Sequence, residues 1–234
     1  VTLSDEVDKY VPKKEGDPLD LAEERTATFA HNSLSVRACS PTDETSRIAA
    51  SYEQSDQRRA SVECPHCGHR QFPDFFRHVH WSKADDGEHL PDTARVFCEA
   101  CGTAWEEAER LRALQTVRWY QTKPFTCCGQ RHDPLSDYER LWRAGADDAG
   151  SQVWRWSDVT QVGRAVCRKC GSEAVSNRHA GFQASKLFSP WRPVNEIAAK
   201  WIAAKGDEDK KQAFYNTQLG VPYRRIAGRE IKPD

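Results

Sequence analysis

The sequence predicts an α/β chain in three parts, on three observations: a strand–helix–strand pattern over 1–60, a Gly- and Pro-punctuated β-rich stretch over 61–182 that carries paired cysteines and most of the tryptophans, and helical periodicity over 183–234. At 234 residues and net charge −1 the chain is long enough to bury a core. It contains no Met and opens on Val1-Thr2-Leu3-Ser4, which places the expected start codon upstream. No run approaches the ~20 apolar residues that span a bilayer, and no signal-peptide succession is present, so a cytosolic, membrane-free setting is expected.

In the first part Thr2-Leu3 ends a strand, and Asp17-Pro18 reads as an N-cap followed by Pro at the first helical position. The helix is expected to reach about Phe29, with Leu19, Ala22, Thr26 and Phe29 on one face, and Leu34 to Cys39 forms the next strand. That is a βαβ unit. Trp105 to Tyr120 reads as helical, and residues 143–152 as a loop. After Pro193, Ile197, Ala198, Trp201 and Ile202 share a helical face, and Gly206-Asp207 stops that helix and caps a second one running toward Leu219-Gly220. Ile226 to Asp234 reads as a linker or the start of a further domain. Phe182, Phe188 and Trp191 are expected in the core.

Nine cysteines, an odd number in a chain this long, argue against a disulfide scaffold. Six form Cys-x-x-Cys-Gly knuckles: Cys64/Cys67, Cys98/Cys101 and Cys167/Cys170. The two-residue gap lets both thiolates reach one tetrahedral ion at ~2.3 Å, and the glycine permits the positive φ that turns backbone N–H groups toward sulfur. Cys64, Cys67, Cys98 and Cys101 are therefore expected to bind Zn²⁺ in a zinc-ribbon-like module, iron being the lesser alternative. Cys167 and Cys170 have only the adjacent Cys127-Cys128 as thiolate partners for a second Zn²⁺. Either both ligate, or Cys128 joins His132 and Cys127 is a spectator. With all positions filled by protein, neither ion has a site for activating water, so both are expected to be structural. His66 and His69 read as surface residues, and Cys39 as a small buried one.

Charge is uneven: residues 161–234 hold 14 Lys/Arg against 7 Asp/Glu, residues 1–60 hold 8 against 12. The basic half is the candidate polyanion face, with Arg164, Arg168, Lys169, Arg178 and Lys186 as phosphate contacts. At the other end, Asp5-Glu6 places two carboxylates at a strand end, where P-loop ATPases hold Mg²⁺ and position water; Asp5 is then the metal partner and Glu6 the general base. Ser40-Pro41-Thr42 sets two hydroxyls beside them if the strands are parallel neighbours.

Ser4-Asp5-Glu6-Val7-Asp8, Glu15-Gly16-Asp17-Pro18, Ser40-Pro41-Thr42, Ser46-Arg47-Ile48, Ser55-Asp56-Gln57-Arg58-Arg59, Cys64-Pro65-His66-Cys67-Gly68-His69, the run Asn177 to Trp191 and the run Phe214 to Tyr223 occur in that order. Together they resemble the gpA-type large terminase subunit of lambda-like phages over almost the whole chain. The resemblance implies the C-terminal part of a P-loop ATPase core over 1–60, a zinc-binding module over 61–182 and a helical connector toward a nuclease domain over 183–234. It implies an ATP- and Mg²⁺-dependent motor that moves double-stranded DNA into a procapsid, joined to an endonuclease. Asp5 and Glu6 match the Walker B pair, and Ser40 and Thr42 the segment coupling nucleotide state to movement. Implied partners are double-stranded DNA, the small terminase subunit, the portal protein and further copies of the chain on the procapsid, in the host cytoplasm. Ala60 departs from an aromatic common in the family, and the Cys127-Cys128 pair from a regular knuckle. No Walker A loop is present in these residues, so this piece alone is expected not to turn over ATP. The alternative is a non-catalytic zinc-ribbon module that binds nucleic acid or protein.

Overall fold

The computed structural model describes residues 1–29, 31–146 and 148–225, so Ile226 to Asp234, read above as a linker, lies outside the described residues. The chain forms two compact units: Val1–Ser51 with Ala204–Asp234, and Tyr52–Ala203.

In the first unit β1 (Thr2–Asp5) and β2 (Ser35–Ala38) form a parallel pair, in register from Thr2 opposite Ser35 to Asp5 opposite Ala38. A parallel pair needs a crossover, and α1 (Pro18–Glu24) lies within it. The Asp17 carboxylate accepts from Leu19 N at 2.9 Å and Pro18 occupies the first turn, the cap and the proline acting together. The α-helix is shorter than its apolar spacing suggests. Thr26 N bonds back to Glu23 O and a 3₁₀ turn follows over Ala27–Phe29. Winding tightens from 3.6 to about 3 residues per turn, which takes Phe29 off the Leu19 face and leaves it 63% exposed. α2 (Arg47–Gln54) then leads into the second unit.

The second unit is built on β3 (Arg58–Glu63), followed by β4 (Arg70–Gln71), α3 (Phe75–His78), β5 (Val79–His80), β6 (Arg95–Phe97) and β7 (Ala104–Trp105). Then come α4 (Glu107–Leu114), β8 (Arg118–Gln121), β9 (Phe125–Cys127), β10 (Gln130–His132), α5 (Pro134–Arg143) and α6 (Ala149–Val153). β11 (Trp154–Ser157), β12 (Val162–Ala165), β13 (Phe182–Gln183) and α7 (Val194–Ala204) complete it. The main sheet has the order β11-β12-β8-β3-β13, with β4 on the far end of β3; β5-β6-β7 and β9-β10 form separate small sheets.

The Trp105–Tyr120 stretch is not one helix. α4 stops at Leu114, and the β-branched Thr116-Val117 and aromatic Trp119-Tyr120 that follow favour the strand β8. Nor is 143–152 simply a loop. Gly145 (φ 82) ends α5, and the short α6 buries Ala149 and Val153 in an aromatic core with Tyr120, Tyr138 and Trp154. That apolar pair was too short to show a period.

The expected face of α7 is buried at Ile197 and Ala198, and Trp201 packs on Phe76 with ring centroids 4.9 Å apart. Buried Arg110 on α4 donates to the carbonyls of Leu187 (2.5 Å), Ser189 (3.1 Å) and Arg192 (3.3 Å). Leu187 is enclosed, but Phe182 is 54% and Trp191 85% exposed, so the core expected for these two aromatics is not there. Phe182 instead packs edge-on against Trp119 beneath the Arg58 guanidinium.

Of the described residues, Ala204 to Arg225 belong with the first unit. There α8 (Glu208–Phe214) is capped by Asp207, whose carboxylate accepts from Asp209 N and Lys210 N. A π-helical turn over Tyr215–Leu219 ends at Gly220 in the left-handed conformation.

Candidate functional site

Three knuckles share one backbone pattern. In each, the glycine N–H returns to the first cysteine's carbonyl (Gly68 to Cys64, 2.9 Å; Gly102 to Cys98, 2.9 Å; Gly171 to Cys167, 2.7 Å), and the first cysteine's N–H bonds to the residue after that glycine. All three glycines have positive φ. Cys64–Cys67 turns β3 into β4, and Cys98–Cys101 turns β6 into β7. Across the two turns, Cys64 and Cys101 sulfurs lie 3.9 Å apart, and Cys67 and Cys98 sulfurs 3.7 Å apart. A tetrahedron with ~2.3 Å metal–sulfur bonds has edges of about 3.8 Å, whereas a disulfide would bring sulfurs to about 2.05 Å. All four sulfurs lie within 4.8 Å of one another, and the nine cysteines are free.

Cys127, Cys128, Cys167 and Cys170 form a second set with the same spread. Cys127 lies 3.9 Å from Cys128 and 3.7 Å from Cys170, sulfur to sulfur. Adjacent cysteines converge because they sit at a two-residue hairpin between β9 and β10, where Cys127 faces Gln130 and both Cys128 (φ 51) and Gly129 (φ 73) are left-handed. This turn type suits the twist of the flanking strands and favours glycine. The x-Gly pair flanked by strands was a readable signal for it. His132 does not join this set among the described residues; it is buried, stacked on Phe125 at 5.0 Å, with Nδ1 4.0 Å from Asp137.

The thiols of both sets differ in acidity. Cys101 is lowered to about 6 by its hydrogen bond with the Thr103 hydroxyl and Cys170 to about 6 by the one with Ser172, while burial pushes Cys98 up and the hydrogen bond with Cys170 raises Cys128 to about 12. A divalent cation bound at either set would displace the remaining thiol protons. Both sets could hold a metal ion.

Their surroundings differ. Beside the first set, burial opposes ionisation of Glu99, yet hydrogen bonds from His69 and His78 (3.4 Å each) and the charge of Arg77 (2.5 Å) outweigh it and hold its pKa at about 2. Fully buried Gln71 accepts from Glu99 N and donates to Phe97 O, linking the two hairpins. His69 is thus part of the support, though exposed His66 is a surface residue that pairs with Glu109 at 3.2 Å. Beside the second set, Arg131, Arg140, Arg168 and Lys169 line a cleft of about 550 Å³ with His132 and Asp137. Arg178, left-handed at φ 59, and Lys186, lowered in pKa by burial, are not among its lining residues; Arg164 pairs with Glu173 at 3.0 Å.

In the first unit the parallel register brings Asp5-Glu6 and Ser40-Pro41-Thr42 out of the same end of β1 and β2. Asp5 Oδ1 accepts from Glu6 N at 2.9 Å, and Glu6, left-handed at φ 54, pairs with Lys9 at 3.1 Å. Asp8 was not singled out above: its Oδ1 accepts from Ile48 N at 3.0 Å, capping α2, while its Oδ2 is buried with no hydrogen-bond partner among the described residues. Pro41 is buried, Ser40 and Thr42 are exposed, and the Thr42 carbonyl accepts from Asn216 (2.9 Å) and Gln212 (3.4 Å). Cys39 is only half-buried and donates to the Ser40 carbonyl at 3.3 Å.

Residues 1–119, half of the chain, match the family model described as phage terminase large subunit gpA, ATPase domain. The chain belongs to the gpA family of phage terminase large subunits. A second match, to the terminase large subunit gpA endonuclease domain, covers residues 179–234. The terminase matches thus take in the carboxylate loop and the first cysteine set at one end and the π-helical turn at the other. No curated protein and no solved structure matches the chain. Among the described residues no helix is long and apolar enough to cross a membrane.

Proposed function

We propose that the chain serves the ATP-driven motor and endonuclease that packages and cuts double-stranded viral DNA, contributing Walker B and coupling residues and two structural zinc sites. The observation that carries this is the parallel β1–β2 register, which sets Asp5-Glu6 and Ser40-Thr42 at one strand end in a family whose matching region is an ATPase domain. Asp5 holds the metal side of the nucleotide through its exposed carboxylate. Mg²⁺, when bound with ATP, neutralises charge developing on the phosphates. Glu6 leaves Lys9 and orients the attacking water as general base. Ser40 and Thr42 sense that event, because their segment and the carboxylate loop are both tied to α2, through Ser46 and through Asp8.

Zn²⁺, if held by the cysteine sets, would crosslink segments that are distant in sequence, β3–β4 to β6–β7 and the β9–β10 hairpin to the Cys167–Cys170 turn. The proposed partners are double-stranded DNA, the small terminase subunit and the portal protein, with several copies of the chain on the procapsid in the host cytoplasm. The test is Glu6→Gln in the intact terminase: ATP turnover should fall by ~10²–10⁴ with nucleotide binding retained. Turnover within about twofold of the parent overturns the Walker B assignment. A second reading, a non-catalytic zinc module binding nucleic acid or protein, is favoured by the basic cleft at the second cysteine set, and it predicts that this variant changes nothing.

A further inference from the structure

The two cysteine sets share geometry and differ in what their inter-cysteine residues do. In the first they are Pro65-His66 and Glu99-Ala100, and the charged members are absorbed in pairs with Glu109, Arg77 and the histidines. In the second knuckle they are Arg168-Lys169, and both line the cleft. Arg131 enters from β10, three residues past Cys128, and Arg140 from α5. Four cations against the single carboxylate of Asp137 leave the lining at net +3 (4 − 1). Asp137 pairs with Arg140 and, at 3.7 Å, with Arg168. Arg131 and Lys169 are exposed and have no ion-pair partner among the described residues. Such a concentration of like charge repels itself and is sustained only where the backbone is held, as it is here by the hairpin and knuckle that bear the four cysteines.

We propose that this cleft binds the phosphodiester backbone of duplex DNA, with Arg131 and Lys169 as its standing contacts and Arg140 and Arg168 released to it as phosphate displaces Asp137. The second cysteine set then fixes the cations in place rather than merely stabilising the fold. The proposal rests on the reading of this chain as part of a DNA-handling machine and extends it to a defined site. Recognition here is by charge and spacing and carries no base sequence, as suits a protein that must pass a whole genome.

The test is anisotropy of a short labelled duplex on this chain, titrated between ~50 and ~200 mM salt. Arg131→Gln with Lys169→Gln should lower the slope of log K against log salt by about 1.8, two contacts at about 0.9 each. Lys14→Gln with Lys200→Gln, neither of them among the residues lining the cleft, is the control and should leave it unchanged. Asp137→Asn should tighten binding severalfold, a gain that a misfolded variant cannot produce. Metal content and melting temperature check that the variants fold. A cleft variant that behaves as the control, an unchanged Asp137→Asn, or a parent chain that does not bind duplex each overturns the proposal. The first two leave the packaging function standing, since that is decided separately by ATP turnover in Glu6→Gln.

Discussion

Asn216 Nδ2 donates to the Thr42 carbonyl at 2.9 Å across 174 residues of chain, joining the π-helical turn of the endonuclease-matching segment to the loop that leaves β2 in the ATPase-matching segment. With Gln212 on the same oxygen, the loop carrying Ser40 and Thr42 is held from outside its own sequence neighbourhood.

Replacing Asn216 by Ala should leave that carbonyl with only the longer bond from Gln212 and cost about 1 kcal/mol. Faster amide hydrogen exchange confined to residues 40–46 is the expected signature. Exchange that stays at the parent rate would show that the bond does not restrain the loop.

Native mass spectrometry should find two metal ions per chain. Chelation should abolish cooperative melting of the Tyr52–Ala203 unit, since structural zinc contributes on the order of 10 kcal/mol to small domains. One ion per chain would mean that the Cys127-Cys128 hairpin does not ligate.

Gly129→Ala should lower metal occupancy at the second set only. No atom lies within 4 Å of the added Cβ, so the cost is purely the left-handed backbone, about 1 kcal/mol. Equal loss of metal at both sets would contradict a hairpin-specific effect.

Arg110→Ala should destabilise the second unit by about 3 kcal/mol, because it strips the carbonyls of Leu187, Ser189 and Arg192 of their donors. Arg110→Lys should recover little, as one ammonium cannot span three acceptors and the Glu107 carboxylate. Denaturant midpoints of the two variants measure this.

What the sequence made legible was local. Knuckle spacing predicted which sulfurs converge, and Asp17-Pro18 marked the start of α1, because both depend on a few adjacent residues. The strand–helix–strand opening was likewise readable, and its parallel pairing placed the Asp5-Glu6 and Ser40-Thr42 loops together. What escaped was non-local. Phe182 and Trp191 carry the same apolar surface whether buried or not, and only the path of the chain leaves them outside. The role of Arg110 depends on carbonyls some 77 to 82 residues away, and that of Asp8 on a helix start 40 residues on. No pattern in either neighbourhood announces them.

The return of the chain from Ala204 to the unit begun at Val1 sets an order on synthesis. A ribosome releases Val1–Ser51 and then 152 residues (52 through 203) before the helix that bonds Thr42 exists. At roughly 5–20 residues per second that interval is about 8–30 s. The unit that carries both cysteine sets therefore emerges whole, and is free to take up metal, while the β1–β2 segment still waits for the helix that holds Thr42.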